Sequence, residues 1–412
     1  MLTAEKFANA RKILGEVVRK TPLVYSLSFS KATGNKIYLK PENMQITGAY
    51  KLRGAFYKIS RMSDADRKKG LITSSAGNHA QGVAYAAQLM GAEAVIVMPK
   101  GTPLVKVNNT KSYGAKIVLE GDNYDEAYAH ARVLAEEKGY SFVHPFNDLD
   151  VATGQGTVAG EILDELPDAD IILVPIGGGG LAAGVSTYAK MLNPSVRVIG
   201  VEPRGAASMY ASIKAGHVAS IAKVDTIADG VAVQTPGDLV FPYVRDNVDE
   251  ILLIDDREIP DAFLDMTENH KMIVENAGLL TIAALKHLRV KNKKIVSILS
   301  GGNMDVITMS TLVQHGLINR GRVFSLSVLL PDRPGQLVEV AKIIAKKRGN
   351  VIRLEHNQFV HINRNSAVEL MITLEAFGHS HKEEILGALA RAGYTPTLCS
   401  PRTIYDEQEC SV

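Results

Sequence analysis

The sequence predicts an α/β fold built on parallel sheet, followed by a smaller module of a different type. One observation is a set of continuous apolar runs bounded by Gly, Pro or charge: Ala94–Met98, Lys116–Leu119, Ile171–Val174 and Val198–Val201. Such runs suit strands that are buried on both faces of a parallel sheet. Helical patterns separate them, at Gln81–Met90, Tyr124–Glu137, Leu181–Met191 and Ile259–Asn269. This alternation is typical of a doubly wound α/β architecture.

The pattern changes after Gly316. The chain then reads as strand, helix, two strands and helix, with a last strand near Thr395–Leu398, the βαββαβ order of a ferredoxin-like module. The other elements are predicted at Phe324–Leu330, Gln336–Lys347, Val351–Leu354, Val368–Leu374 and Lys382–Ala392, with a polar turn near His361–Ser366. We place the boundary near 318–322, which gives domains over 1–320 and 321–398 and a polar tail over 399–412.

Composition narrows the class of protein. The 412 residues are 46% hydrophobic and 22% charged, with a formal net charge of only +2, so nothing favours binding to nucleic acid or to an anionic membrane. The most apolar stretch, 171–185, is interrupted by Pro175 and four glycines and is too short to span a bilayer. Cys399 and Cys410 are the only cysteines, which favours a reducing compartment and a cytoplasmic protein.

Lys51 is the first residue that suggests chemistry. It follows a turn containing Gly48 and stands at a predicted helix start, where the helix dipole and burial both lower the pKa of an amine. A neutral amine is what Schiff-base formation requires. A solvated lysine at a helix start is the ordinary alternative, and Lys51 alone does not decide between the two.

Three further segments each place small or polar residues where a predicted strand ends. The loops Ser74–Gly82 and Gly177–Gly180 each precede a helix and offer backbone N–H groups to a phosphate or carboxylate. The third segment, Leu299–Asn303, follows another strand and faces the same crevice in an open α/β sheet. Each segment taken alone is also explained by an ordinary turn that caps a helix or ends a strand. Gly177, Gly179 and Ala182 with Glu202 also fit a dinucleotide fingerprint, so a nicotinamide-dependent dehydrogenase is a competing interpretation.

Taken together, TGAYKLRGA, SSAGNHAQG, IGGGGLAAG and LSGGN resemble the fold-type II family of pyridoxal-phosphate enzymes, and the threonine ammonia-lyases in particular. The resemblance implies a tryptophan synthase β-like fold of two lobes of parallel sheet, with the small lobe inserted at about 45–150. It also implies the cofactor pyridoxal 5'-phosphate and a small amino-acid substrate. A dehydrogenase would have no use for Lys51 or Asn78.

The resemblance also implies roles for single residues. Lys51 would form the Schiff base and act as the base at the substrate Cα. The phosphate would be held by Gly177, Gly178, Gly179, Gly180 and Leu181, the ring hydroxyl by Asn78 and the ring nitrogen by Ser300. Tyr50, where relatives commonly have Phe, and Gly230 would flank the ring, with Glu275 close to it. The substrate carboxylate would be bound by the loop residues Ser75, Asn78, His79 and Ala80.

The implied reaction is β-elimination from threonine to 2-oxobutanoate and ammonia, with serine giving pyruvate. Serine racemases and serine dehydratases are the alternative within the family. A racemase needs a second base on the opposite face of Cα, a serine at the position of Ala76, and alanine cannot transfer a proton. Such racemases also carry an acidic metal site. Here Ser208 replaces its second carboxylate and Glu202 is interpreted as a surface acid, so we expect no metal.

The C-terminal module resembles an ACT domain, through Asp332-Arg333-Pro334-Gly335-Gln336-Leu337 and Gly349-Asn350-Val351. The resemblance implies an amino-acid effector site at Gly335 and Asn350, allosteric control and a homodimer or homotetramer. A module that only packs between subunits is the alternative, and so is an amino-acid sensor that has lost catalysis. A role in isoleucine biosynthesis is implied, although the short single module differs from the regulatory regions of strongly isoleucine-inhibited enzymes.

Overall fold

The computed structural model describes residues 1–358 and 368–399, and the chain divides into two compact units between Asp305 and Val306. The polar turn predicted near His361–Ser366 and the tail from Ser400 onward, with Cys410, lie outside the described residues. The division groups residues 306–317, which precede the boundary predicted at 318–322, with the C-terminal unit.

The strands of the N-terminal unit follow the apolar runs of the sequence. They are β1 (Val24–Ser26), β2 (Lys36–Lys40), β3 (Leu71–Ser74), β4 (Ala94–Met98), β5 (Lys116–Leu119), β6 (Ser141–Phe142), β7 (Ile171–Pro175), β8 (Arg197–Pro203), β9 (Glu250–Ile254) and β10 (Lys294–Ile298). The four strands predicted from apolar runs in this unit are all present.

The helices of this unit are α1 (Ala4–Leu14), α2 (Leu27–Thr33), α3 (Lys51–Arg61), α4 (Asp64–Lys69), α5 (Asn78–Leu89), α6 (Leu104–Lys111), α7 (Tyr124–Lys138), α8 (Leu149–Glu165), α9 (Gly180–Leu192), α10 (Ser208–Ala215), α11 (Phe241–Asn247), α12 (Ile259–Asp265) and α13 (Asn276–Ala283). The helix predicted at Ile259–Asn269 is α-helical only to Asp265 and continues as a wider π turn over Met266–His270. Among the described residues, no helix combines the length and apolar character needed to cross a membrane.

Two sheets organise the N-terminal unit. The larger has the order β1-β2-β10-β7-β8-β9 and is parallel except for β1, whereas the smaller, β5-β4-β3-β6, is parallel throughout. The smaller sheet lies in sequence between β2 and β7, so it is an insertion into the larger one. One strand differs from expectation. Lys116–Leu119 was predicted to be buried on both faces, but β5 is an edge strand whose first and last residues are exposed.

A buried ionic network joins the elements around Lys51. The guanidinium of Arg53, which is fully buried in α3, donates to both carboxylate oxygens of Glu42 at 2.8 Å and to those of Glu161 in α8 at 2.6 and 2.9 Å. The ammonium of Lys40, at the end of β2, donates to Glu161 at 2.5 Å and to the Thr21 carbonyl at 2.7 Å. Two positive and two negative groups are therefore paired in the interior.

The C-terminal unit contains α14 (Val306–Asn319), β11 (Val323–Leu330), α15 (Gln336–Lys346), β12 (Asn350–Asn357), β13 (Val368–Glu375), α16 (His379–Arg391) and β14 (Thr397–Cys399). After α14, the order is the predicted βαββαβ. The sheet order is β12-β13-β11-β14 and every pairing is antiparallel. Its core is formed by apolar side chains of β11 and β13 against α15 and α16, including Leu326, Ile372, Val340 and Leu389.

We expect Arg53→Met to lower the stability of the N-terminal unit by about 3–5 kcal/mol, because Glu42 and Glu161 lose the charge that compensates their burial. The measurement is the urea midpoint by circular dichroism. The matched control is Arg257→Met, since Arg257 also donates twice to one carboxylate, that of Asp255, but is 87% exposed. The control should leave the midpoint nearly unchanged. Equal shifts in the two variants would contradict the role given to the buried network.

Candidate active site

A crevice opens where strands of both sheets end. It is lined by residues that follow β3, β7 and β10, which is where ligands bind in open α/β sheets, together with residues from the loops before α3, α8 and α13. They are Tyr50, Lys51, Asn78, Phe146, Pro175, Gly177, Gly178, Gly179, Gly180, Leu181, Ala182, Gly230, Val231, Val233, Glu275, Ala277 and Ser300. The crevice thus brings together the four segments that the sequence singled out.

Lys51 is the first residue of α3, as predicted, and its side chain is half-buried. Its amine donates a hydrogen bond to the carbonyl of Pro145 at 2.7 Å and lies 5.4 Å from the centroid of the Tyr50 ring. Burial lowers the pKa of Lys51 to about 8, although the negative charge of Glu275 opposes this shift. A lysine with such a pKa is partly neutral near pH 7 and can act as a nucleophile or a base.

The glycine loop between β7 and α9 forms an anion cradle. Gly179 has φ +98°, a conformation that favours glycine, and caps α9 without a side-chain hydrogen bond. Within the part of the chain that the structure describes, no backbone N–H from Gly177 to Leu181 donates to a protein acceptor. A helix N-terminus with free N–H groups attracts a phosphate. The loop therefore offers a set of donors to an anionic ligand.

Phe146 packs closely against this loop. A Cβ on Gly178 would overlap the Phe146 ring, and a Cβ on Gly180 would lie 2.8 Å from the Phe146 carbonyl oxygen. Phe146 belongs to the connection between β6 and α8. In this connection the His144 Nδ1 accepts hydrogen bonds from the backbone N–H groups of Phe146 at 3.2 Å and Asn147 at 2.8 Å.

The connection 143–147 was not singled out by the sequence, although it contacts both Lys51 and the glycine loop. Its residues show no helical or strand-like spacing of apolar side chains and no glycine-rich motif. Only its position after a short β-rich run could have indicated that it lies near the site. Two other lining residues, Val231 and Val233, were also missed. Both follow Gly230: Val231 is the last residue of a short 3-10 turn over Asp229–Val231, and Val233 lies two residues later.

Asn78 and Glu275 meet across the crevice. The Asn78 Nδ2 atom donates to both oxygens of Glu275, at 2.8 and 2.9 Å. Glu275 is 6% exposed, and burial raises its pKa to about 7, while the Asn78 hydrogen bond and the charges of Lys106 and Lys51 counteract the rise. Ser300, which is 2% exposed, lies in the same crevice, and its carbonyl accepts from the Tyr50 N–H at 3.1 Å.

The other residues of the Asn78 loop lie beside the crevice. The side chain of His79 is buried, and its Nε2 donates to the Val143 carbonyl at 3.0 Å. Burial, and next the charge of Lys51, lower the pKa of His79 to about 3, so the imidazole is neutral. Ser75 accepts from the Gly77 N–H at 3.3 Å, and Ala80 is buried in α5. Apart from Asn78, the residues of this loop would therefore contact a ligand mainly through backbone groups.

Glu202 is not the surface acid that the sequence suggested. It is fully buried, and its carboxylate accepts the N–H groups of Met209 at 2.9 Å and Tyr210 at 2.8 Å at the start of α10. Burial raises its pKa to about 8, opposed by these two hydrogen bonds. Within residues 1–358 and 368–399, no three His, Cys, Asp or Glu side chains are arranged to hold a metal.

The fold and the crevice define an α/β enzyme that combines a reactive lysine with a phosphate cradle. A pyridoxal cofactor fits this donor set, since its aldehyde requires a neutral amine and its phosphate requires unpaired N–H groups. The chain belongs to the pyridoxal-phosphate dependent enzyme family, whose model matches residues 14–301. Its cofactor is pyridoxal 5'-phosphate.

Particular relatives extend the comparison. The chain is 44% identical over 395 residues to an L-threonine ammonia-lyase of Thermotoga maritima, covering 96% of this chain and 98% of the relative. Threonine deaminase isoform 2 of Solanum lycopersicum has a similar structure (TM-score 0.72, 38% identity, 76% of this chain and 94% of that one). Maize serine racemase is equally similar in structure (TM-score 0.72, 37% identity, 77% of this chain and 98% of that one).

We expect the rate at which the apoprotein binds pyridoxal phosphate covalently to rise with pH and to level off above about 8. The neutral amine of Lys51 is the reacting form, and it predominates above its pKa of about 8 rather than above the ordinary 10.5. The measurement is the appearance of visible absorbance after mixing, between pH 6 and 10. Nα-acetyl-lysine, treated in the same way, is the control for titration of the cofactor itself. A protein midpoint equal to that of the free amino acid would contradict the shift.

Proposed function

We propose that the protein deaminates L-threonine to 2-oxobutanoate and ammonia by pyridoxal-phosphate-dependent β-elimination, and converts L-serine to pyruvate more slowly. The observation that carries the proposal is the half-buried Lys51 amine of lowered pKa, in the same crevice as the glycine loop, in a chain that is similar to a threonine ammonia-lyase over 96% of its length. The sensor alternative is disfavoured because the lysine and the cradle are chemically competent.

The residues of the crevice have complementary roles in this proposal. The N–H groups of Gly177–Leu181 would hold the cofactor phosphate, Asn78 the ring hydroxyl and Ser300 the ring nitrogen. Tyr50 and Gly230 would flank the ring. The bound cofactor supplies an electron sink for the bond broken at Cα. Ser300 is an uncharged partner for the ring nitrogen, which suits elimination better than a long-lived carbanion.

Lys51 is the base of the reaction. Its neutral amine takes the proton from the substrate Cα, and the β-hydroxyl then leaves with a proton as water. The four-carbon product is released as an enamine, and water hydrolyses its imine form to 2-oxobutanoate and ammonia, so one water leaves and one enters. Ser75, Asn78, His79 and Ala80 bind the substrate carboxylate, which directs the Cα proton toward Lys51.

Serine racemisation is the second candidate function, because a serine racemase has an equally similar structure. Racemisation requires a proton donor on the face of Cα opposite Lys51. In this chain the loop residue between Ser75 and Gly77 is Ala76, which has no exchangeable proton. We therefore favour elimination from one face.

We also propose that the C-terminal unit is an ACT-type regulatory domain that binds an amino acid at Gly335 and Asn350. Gly335 directly precedes α15, and Asn350 begins the edge strand β12, where its amide donates to Glu375 at 3.2 Å. The 395-residue similarity to the Thermotoga maritima enzyme supports this, because it cannot be contained in the 305 residues of the N-terminal unit. A homodimer or homotetramer in the cytoplasm would be the working form.

The proposed activity predicts keto-acid formation from L-threonine, more slowly from L-serine, and none with Lys51→Ala. The measurement is the amount of 2-oxobutanoate or pyruvate released, with Lys58→Ala as the control for loss of another lysine of α3. The assay is repeated with isoleucine and with valine, and a change in rate that Asn350→Ala removes would support the effector site. A folded, cofactor-loaded protein that releases no keto acid would overturn the proposal.

Ala76→Ser should create measurable D-serine formation from L-serine, because the new hydroxyl can return a proton to the second face of Cα. The measurement is chiral separation of the products. Ala76→Val, which adds volume without an exchangeable proton, is the control and should form none. An Ala76→Ser variant that still eliminates but forms no D-serine would contradict the role assigned to this position.

A further inference from the structure

Four groups form a continuous hydrogen-bonded relay beside the crevice. The Nδ2 atom of Asn303 donates to the Thr47 carbonyl at 2.7 Å and to the Oδ1 atom of Asn78 at 2.8 Å. The Nδ2 atom of Asn78 then donates to the carboxylate of Glu275. The relay joins the loop before Lys51, the loop after β10, the start of α5 and the residue before α13.

The chemistry of its ends determines the orientation of both amides. A backbone carbonyl only accepts, so the NH₂ group of Asn303 faces Thr47 and its second N–H reaches Asn78. Asn78 must then present its oxygen to Asn303 and its NH₂ group to the other side. The carboxylate of Glu275, which also accepts, matches this arrangement. Reversing either amide would place acceptor against acceptor or donor against donor.

The backbone around Asn303 keeps it in this position. Gly48 has φ +71°, and a Cβ at this residue would overlap the Asn303 side chain. The Gly302 N–H donates to the Gly48 carbonyl at 2.9 Å, and Ala49 forms an antiparallel bridge with Gly301. The two loops are therefore fixed to one another directly beneath the Asn303 amide.

We infer that Asn303 is a positioning residue that makes Asn78 present a hydrogen-bond donor, not an acceptor, to the crevice. Asn303 itself does not line the crevice, whereas Asn78 does. The inference rests on the proposed function in one respect: the ring hydroxyl of the cofactor is taken to be a further acceptor for the Asn78 NH₂ group, beside the Glu275 carboxylate that it meets in the structure. It assigns to the last residue of the LSGGN segment a role that acts through Asn78.

Two substitutions at position 303 separate positioning from packing. Asn303→Ala removes the donor and leaves Asn78 free to reverse. Asn303→Asp keeps the shape but replaces the donor by an acceptor. This favours an Asn78 whose NH₂ group faces residue 303 and whose oxygen faces the crevice and the Glu275 carboxylate, acceptor against acceptor. A positioning role therefore predicts that Asn303→Asp weakens cofactor binding more than Asn303→Ala does. A packing role predicts the opposite order.

The measurement is the affinity of the full-length apoprotein for pyridoxal phosphate, from the visible absorbance and without any amino acid. We expect about 5- to 10-fold weaker binding for Asn303→Ala, the usual effect of one lost hydrogen bond, and a larger loss for Asn303→Asp. In an Asn78→Ala background, Asn303→Ala should cost clearly less affinity than it does alone, since the route through Asn78 has been removed and only the hydrogen bond to the Thr47 carbonyl is still lost. The inference would be overturned if the losses of affinity in the double variant were additive, or if Asn303→Ala weakened cofactor binding more than Asn303→Asp.

A matched pair of glycines provides an independent test. Gly48→Ala displaces the Asn303 amide and should weaken cofactor binding as Asn303→Ala does. Gly139, at the end of α7, has the same φ of +71° but nothing within 4 Å of its Cβ position, so Gly139→Ala adds the same backbone strain without the displacement. Equal affinities in the two glycine variants would overturn the inference. Because no threonine is present, failure of the proposed deamination would leave these results unchanged.

Discussion

The fold depends on the requirement that a charge in the interior must be compensated there. Arg53 meets this requirement with Glu42 and Glu161, which come from segments far apart in the sequence. Because each partner would be costly to bury alone, the network favours the arrangement in which α3, α8 and the turn after β2 meet. Lys51 lies at the start of the same helix, so the pairing of Arg53 also determines where the reactive amine stands.

Two cations in one helix therefore have opposite environments. Arg53 is surrounded by carboxylates, which hold its pKa above the ordinary value although burial alone would lower it. Lys51, two residues earlier, has a carbonyl as its hydrogen-bond partner and only a more distant carboxylate, so burial dominates and its pKa falls. The contrast explains how one element can supply both structural charge and a reactive amine.

Most of the predictions that the structure confirmed came from local sequence patterns. The bounds of β4 and the start of α3 followed from apolar runs and turn residues, and the crevice gathers the glycine loop with Ser300 because parallel strands end at one edge. The sequence failed where the outcome depends on distant contacts. An apolar run does not reveal that β5 lies at a sheet edge, and the burial of Glu202 depends on how α10 folds back over β8.

The hydrogen bond from Lys51 to the Pro145 carbonyl has a consequence for how the amine handles protons. A carbonyl oxygen can accept a hydrogen bond from an amine or from an ammonium group, and although the bond from the ammonium group is the stronger, the acceptor itself carries no charge. The nitrogen can thus gain a proton and return it while remaining attached to the same neutral anchor. A carboxylate in that place would hold the charged form and release it reluctantly, whereas Pro145 keeps the atom in position and leaves its charge free to change.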